Sequence, residues 1–248
     1  MYHFLKKILT QIIPRKLLFK QEENIRSLYS LFYSGSAYEC NICNKNLSNF
    51  IKTSKNDYLC PNCGSLQRNR RLWYLLESEF LSINSSILDF SPSRCLYRKI
   101  KKIKNINYQT TDLSGDFIAD HQFDITNLKI NDNSFDLVIC YHILEHITND
   151  IKAIRELFRI MKPGAKALVQ TPFKDGTIYE DYFILTEEER LIHFGQEDHV
   201  RIYSVSGLKE RLESCGFLVE LRTNFKVQNK YNLEKKETIL VLTKPLNI

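Results

Sequence analysis

Four cysteines stand in two matched pairs, Cys40 with Cys43 and Cys60 with Cys63, and sixteen residues separate the pairs. A CxxC turn aims two sulfurs at one point, so two such turns supply four soft ligands, a complete tetrahedral set for Zn²⁺. Disulfides or a redox-active CxxC are the other uses of such pairs, and an iron–sulfur centre is the other metal they suit. Because four sulfurs leave no coordination position open, the expected ion is structural. Gly64, next to the second pair, offers the turn a permissive backbone position.

Histidines and acids concentrate further along. His142, Glu145 and His146 are spaced so that at least two can share a helical face. Between Phe194 and Tyr203 the chain reads Gln196, Glu197, Asp198, His199 and Arg201, just ahead of a helix cap. So dense a polar run in a connection is expected to form an acceptor lid or pocket. There His199 would take a hydroxyl proton and Arg201 would orient a carboxylate or phosphate, with Gln196 and Tyr203 as further acceptor contacts. A hydrogen-bonded loop lock is the competing reading. Asp175 and Tyr182, near Glu180 and Asp181, are also expected to meet the acceptor; a divalent-metal site from these acids needs a convergence that spacing does not establish. Arg68, Arg70 and Arg71 follow the second cysteine pair. They suit a solvated or salt-bridged face, a grip on an anionic small molecule or glycan precursor, or contact with nucleic acid. Cys95, Cys140 and Cys215 read as small apolar residues.

The elements that must position these groups alternate between strands and helices. Strands are expected at 87–90, 108–111, 121–123, 135–140, 165–171, 217–221 and 239–242. Helices should carry Leu72, Leu75, Leu76 and Phe80; Leu96, Ile100 and Ile103; Ile151 to Met161; and, capped by Ser204, Val205, Leu208 and Leu212. Lys162, Pro163 and Gly164 read as a turn, and Gly216 as a helix end. This alternation favours a mostly parallel sheet covered by helices, with ligand chemistry outside the carboxyl ends of its strands. The boundaries read from sequence are 1–36 for a basic amphipathic helical segment, 37–67 for the four-cysteine module, 68–85 for a linking helix and 86–248 for the α/β body.

LDFSPS, TTDL, FDITNL, NSFDLVICYHILEHI and ELFRIMKPG, taken together, resemble the class I methyltransferases that use S-adenosylmethionine, over about residues 87–242. The upstream CxxC pairs and FGQEDHVRIY resemble a branch with a zinc-ribbon-like front end. The resemblance implies a Rossmann-like sheet of seven strands, the last antiparallel, with helices on both faces. It also implies donor contacts at Asp89, Phe90, Ser91 and Pro92 after the first strand. Asp112, with Leu113 beside it, corresponds to the acid that binds the ribose hydroxyls, and Asp124 and Ile125 to the adenine turn. Tyr141 and His142 would lie near the transferable methyl, with His142 as a second catalytic candidate beside His199. The loop departs from the pattern, since no glycine occurs from Asp89 to Arg94; its absence would either shift the donor or weaken it. With no NPPY-like motif, the expected reaction is methyl transfer to oxygen of a small-molecule, nucleotide-sugar or glycan-related acceptor. An RNA or protein methyltransferase and a noncatalytic zinc-containing binding protein are the alternatives, with nucleic acid the weaker partner.

Charge sharpens the division of labour. Of the formal +6 over 248 residues, residues 1–85 hold 12 basic and 6 acidic side chains, leaving the rest balanced at 23 each. Four thiolates and one Zn²⁺ would lower the front excess to about +4. Phe4, Leu5, Ile8, Leu9, Ile12 and Ile13 form one apolar helical stripe among lysines, suited to docking, to a homo-oligomer contact or to an anionic membrane surface through residues 1–20. No apolar run reaches the roughly 18 residues of a membrane span. A signal peptide is not evident, and the expected location is cytoplasmic, with peripheral contact at the inner membrane surface.

Overall fold

The computed structural model describes residues 15–54, 56–115, 117–223, 229–234 and 236–246, with backbone alone for 15–20. The chain forms two compact units, Met1–Leu75 with Val227–Glu234, and Leu76–Lys226 with Lys235–Ile248. The apolar stripe expected at Phe4 to Ile13 lies outside the described residues, and so does most of the segment 1–20 to which membrane or homo-oligomer contact was assigned. Among the described residues, no helix is long and apolar enough to cross a membrane.

In the first unit, helix α1 (Arg15–Ser30) and a 3-10 turn lead to strand β1 (Ser34–Glu39). β1 pairs antiparallel with β2 (Asn46–Leu47), and β3 (Ile51–Lys52) pairs with β4 (Tyr58–Leu59). Two knuckles of one design carry the cysteines. Asn44 N donates to Cys40 O at 2.7 Å and Cys40 N to Lys45 O at 3.0 Å; Gly64 N donates to Cys60 O at 3.0 Å and Cys60 N to Ser65 O at 2.8 Å. Each closes through a left-handed residue, Asn44 at φ +56° and Gly64 at φ +76°, the residue types that enter this region at least cost.

Helix α2 (Gln67–Leu75) follows, and Arg70 on it is fully buried. Its guanidinium donates to the carbonyls of Ser65 (2.7 Å), Tyr58 (3.1 Å), Tyr231 (2.8 Å) and Asn232 (2.9 Å), and lies 4.0 Å from the Phe50 ring centroid. This explains why the segment 229–234 groups with the first unit. It also corrects the anionic-grip reading for Arg70 and Arg71, both 0% exposed; only Arg68 stays near the surface, 3.5 Å from Asp57.

The second unit is an α/β sandwich. Its elements are β5 (Ser86–Phe90), helix α3 (Arg94–Ile100), β6 (Asn107–Thr111), β7 (Phe135–Tyr141), α4 (Asp150–Ile160), β8 (Met161–Gln170), β9 (Tyr179–Glu180), α5 (Glu187–Phe194), β10 (Arg201–Ile202), α6 (Val205–Ser214), β11 (Leu218–Arg222) and β12 (Ile239–Thr243). The main sheet runs β11-β12-β8-β7-β5-β6. β5 to β8 are mutually parallel, and β12 runs antiparallel to both neighbours. One face buries Leu88, Val138, Ala167 and Leu240 against Ile154 and Leu157 of α4 and Leu208 and Leu212 of α6. Each fully buried aliphatic side chain contributes roughly 1.5–3 kcal/mol. Ser204 caps α6 by accepting from Gly207 N at 3.1 Å.

Three expectations change. The strand at 121–123 is a single bridge, Thr111 to His121, so the sheet has six strands among the described residues instead of seven. Asp120 folds back there, its Oδ2 accepting from Thr110 N and Thr110 Oγ1, and occupies the edge that a longer strand needs. Lys162–Gly164 does not precede β8 but bulges out of it: Phe135 pairs with Met161, whereas Leu137 pairs with Lys166. Gly164, at φ +80°, allows that bulge. Ile103 lies beyond the end of α3, in a turn.

Candidate active site and metal centre

The four cysteine sulfurs converge, with Sγ–Sγ distances of 3.6 Å for Cys40–Cys63 and 3.8 Å for Cys43–Cys60, and all four within 4.8 Å. A disulfide needs about 2.05 Å. Sulfurs bound tetrahedrally to Zn²⁺ at about 2.3 Å stand about 3.8 Å apart, so the set fits one such ion. Hydrogen bonds from Cys43, Cys60 and Cys63 hold Cys40 well below the ordinary thiol range, and Cys60 and Cys63 are pushed up by their bonds to Cys40 and Cys43. Cys43 is lowered as well, so thiolate character is favoured on the first knuckle, and a divalent cation would extend it to all four sulfurs.

In the second unit, polar groups gather at the carboxyl ends of β5, β6, β7 and β8. Ser91, following β5, holds φ +46°, the backbone region a glycine normally supplies. The glycine-free loop therefore makes the left-handed turn with serine. Ser91 N donates to Thr111 O at 2.8 Å and its hydroxyl donates to Asp112 Oδ1 at 2.7 Å; Ser114 donates to Asp112 Oδ2 at 2.8 Å. Burial alone would raise the Asp112 carboxyl, but these hydroxyls and neighbouring backbone N–H groups outweigh it and hold the group below the usual carboxylate range. Asp112 is thus an ionised acceptor already receiving two hydroxyls, one per oxygen, as a diol would donate them.

Within β5 itself, Asp89 is 3% exposed and accepts from Tyr108 Oη at 2.7 Å. Burial pushes its carboxyl up to about 7. The folded protein then holds a proton that the unfolded chain releases near pH 4, so this group's contribution to stability is full below that pH and is lost as pH rises through about 7. Asp89→Asn removes the ionisation. Its urea stability relative to wild type is expected to rise between pH 5 and 8, by on the order of 2 kcal/mol. A pH-independent difference would count against a protonated Asp89.

At the β7 end, His142 takes φ +55°, uncommon for histidine, and its N–H donates to Gln170 O at 2.8 Å. The ring's Nδ1 lies 3.3 Å from Glu145 Oε1, and its Nε2 is buried with no hydrogen-bond partner among the described residues. Glu145 is 1% exposed and, among the described residues, neither carboxylate oxygen receives a hydrogen bond; Gln170 Oε1 and Thr171 Oγ1, at the end of β8, are likewise unpartnered. Buried polar atoms are rarely left so, and four residues sharing the condition at adjacent strand ends mark a ligand site. Gln170 and Thr171 were missed in sequence; the available signal was a polar pair closing an otherwise apolar strand ahead of Pro172.

The remaining candidates separate. Phe90 and Pro92 are buried and Leu113 is exposed; Asp124 is exposed, its carboxylate accepting from Thr126 N at 2.8 Å, and Ile125 points into the core. His199 is 4% exposed, edge-to-face with His146 at 4.7 Å, and Gln196 lies 2.9 Å from its Nε2. Burial and the nearby His146 lower His199, favouring the neutral imidazole. Arg201 and Tyr203 are corrections: neither has capacity for an acceptor. Arg201, 1% exposed, donates to Glu180 Oε2 (2.8 Å) and to the carbonyls of Leu144, Ile147 and Thr148. Tyr203, fully buried, donates to Asp150 at 2.5 Å. Both lock the connection instead, the competing reading of this segment. Asp175 and Tyr182 lie at the surface. A cavity of about 380 Å³ bordered by Phe80, Asn84, Asp136 and Lys162 opens at the opposite, amino ends of β5 and β7, away from this chemistry.

A family model described as "Methyltransferase domain" matches residues 59–221. Among curated proteins, the chain is 44% identical over 59 residues to an uncharacterised protein of Methanocaldococcus jannaschii (24% of this chain, 26% of that one). It is 32% identical over 87 residues to the ubiquinone/menaquinone biosynthesis C-methyltransferase of Haemophilus ducreyi (35% and 28%). The chain thus spans less than a third of each of these relatives' lengths. Among solved structures, it is similar to a chain of the Haloferax volcanii complex between the Trm112 methyltransferase activator and a methyltransferase, with TM-score 0.53, 14% identity, and 70% and 88% of the two chains covered. It is also similar to Haemonchus contortus phosphoethanolamine N-methyltransferase 2 in complex with S-adenosyl-L-methionine, with TM-score 0.51, 16% identity, and 71% and 52% covered. At these identities the structures bear on fold.

Proposed function

The chain belongs to the methyltransferase-domain family, and on that premise we propose that it transfers a methyl group from S-adenosylmethionine to an oxygen of a small-molecule or glycan-related acceptor. One observation carries this reading: an ionised diol acceptor, Asp112, and a buried imidazole nitrogen without a protein partner, His142 Nε2, stand at strand ends of one sheet. When bound, the donor supplies a methyl on a sulfonium sulfur, open to a nucleophile in line with the carbon–sulfur bond. Asp112 would hold the ribose hydroxyls in place of Ser91 and Ser114, the Asp124–Ile125 turn would meet the adenine, and Asp89, Phe90 and Pro92 would shape the intervening loop.

His142 is the residue that receives the acceptor's hydroxyl proton. With Glu145 beside Nδ1, the tautomer protonated there leaves the Nε2 lone pair for the proton. Gln170 and Thr171, unpartnered at the neighbouring strand end, are placed to hydrogen-bond the acceptor. The small molecules named for the Haemonchus and Haemophilus proteins support an acceptor of that size. The glycine-free loop, which motivates a noncatalytic reading, loses weight because Ser91 makes the turn.

Asp112→Ala is expected to weaken S-adenosylhomocysteine binding roughly 100-fold, as two hydrogen bonds to a charged group are lost, while the protein stays folded with a modestly lower urea midpoint because Ser91 and Ser114 lose their acceptor. Equal affinity in the variant would overturn the assignment. A mass-shift screen over hydroxylated metabolites, sugar phosphates, nucleotide sugars and RNA then reads the acceptor class; methylation of RNA alone would replace the small-molecule reading.

A further inference from the structure

Glu145, His146 and His199 each bring one ligand atom to within 4.8 Å of the other two. They come from two segments, the 3-10 turn Leu144–His146 and the connection ahead of β10, and these segments are bound together. Val200 N donates to Glu145 O at 2.9 Å, and Arg201 donates to the carbonyls of Leu144, Ile147 and Thr148. The cluster is therefore fixed by backbone, not by chance proximity of surface side chains.

A second observation points to a ligand. Glu145 is buried to 1% exposure, yet both carboxylate oxygens lack a hydrogen bond among the described residues. Oε1 faces His142 Nδ1 at 3.3 Å, whereas Oε2 has no partner among the described residues, and leaving a buried carboxylate oxygen so is costly. One of the two histidines, His146, is oriented as a metal ligand is, with its outer nitrogen on acceptors. His146 Nδ1 lies 3.2 Å from both the carbonyl and the carboxylate of Asp198, and His199 Nε2 lies 2.9 Å from the Gln196 amide. The Asp198 acceptors take the Nδ1 proton of His146 and leave its Nε2 to ligate; at His199 the contact is made by the Gln196 amide nitrogen, a donor, so ligation through Nδ1 requires that amide to turn and offer its oxygen to Nε2–H. Two imidazoles and one carboxylate suit a borderline divalent ion and leave coordination positions open.

We propose that Glu145, His146 and His199 form a second metal site, distinct from the four cysteines, that takes one borderline divalent ion and presents it to an oxygen of the acceptor. The acceptor's part in this rests on the methyl-transfer reading above; the ion binding does not. Such an ion would neutralise Glu145 and select acceptors with a hydroxyl flanked by a second oxygen.

The test titrates Co²⁺ into zinc-replete full-length protein, followed by visible absorption, with S-adenosylhomocysteine titrated into the same samples. The expected result is one Co²⁺ per chain with d–d bands and no sulfur-to-metal charge transfer, lost in Glu145→Gln and His199→Ala, and weakened roughly tenfold by Asp198→Asn. His146→Gln, at a half-buried ring, gives the same readout if a change at buried Glu145 disturbs folding. Absence of uptake, uptake bearing sulfur charge transfer alone, or full uptake by Glu145→Gln overturns the site. Donor binding without Co²⁺ uptake defeats this inference alone. Co²⁺ uptake without donor binding upholds the ion site and defeats the methyl-transfer reading.

Discussion

Removing the ion from the four-cysteine site, by a strong chelator or by Cys60→Ser, is expected to unfold the first unit. Its strands β2, β3 and β4 are two residues each, and its apolar core among the knuckles is Ile42, Leu47, Phe50 and Leu59 beside the cysteines. So small a core supplies little stability without a cross-link. Structural zinc in comparable sites contributes on the order of 10 kcal/mol of apparent binding free energy, about as much as a whole domain's net stability. Hydrogen exchange read by mass spectrometry should show amides of 34–71 losing protection when the metal is stripped, while β5, β7, β8 and β12 keep theirs. Elemental analysis should count one tightly held zinc fewer per chain in Cys60→Ser. Retained protection in metal-free protein would show that the knuckles stand without an ion, and a redox-active CxxC would then be the better account.

The second large effect concerns Arg201. It sits with Glu180, Asp150, Arg211 and Tyr203 in a charged network buried beneath the 142–150 connection. β9 and β10 place Glu180 and Arg201 directly opposite each other, and Arg211 reaches the same two acids from α6. Arg201→Met keeps much of the volume but strands the carbonyls of Ile147 and Thr148 and leaves the acids short of one cation. The expected loss is about 3–5 kcal/mol, measured as a lower urea midpoint at unchanged slope. Because Arg201 also pins the turn bearing Glu145, the variant should lose the second metal site even under conditions where it remains folded. A double-mutant cycle with Glu180→Gln should be strongly non-additive, since one partner's removal already breaks the pair. A loss below about 1 kcal/mol would mean that water replaces the guanidinium readily, and Arg201 would return as a candidate for acceptor contact.

These two cases also show what a sequence can and cannot display. The cysteine site was legible because its geometry is local: each CxxC makes its own turn, and Asn44 and Gly64 stand where the turn needs a left-handed residue. The sheet was legible where strands are apolar runs, as in β7 and β12. It failed at 121–123, where Asp120 rather than hydrophobicity decides the edge, and at Lys162–Gly164, where a turn signal proved to be a bulge inside a strand. Arg70 and Arg201 look in sequence like groups for an anion. Their partners are carbonyls up to 162 residues away and, for Arg201, the protein's own Glu180, and no local pattern announces them. His199 was identifiable as a polar residue in an unusual connection, but its closeness to His146 and Glu145 depends on the tie between Val200 and Glu145. Ser91 is the instructive middle case: the missing glycine is visible in the sequence, and only the backbone shows that serine adopts its conformation.

Donor binding is where the account stands or falls. Zinc-replete wild-type protein titrated calorimetrically with S-adenosylhomocysteine should bind one molecule per chain, with Asp112→Ala folded but roughly 100-fold weaker. A correctly folded wild-type protein that binds neither S-adenosylhomocysteine nor S-adenosylmethionine at millimolar concentration would contradict it.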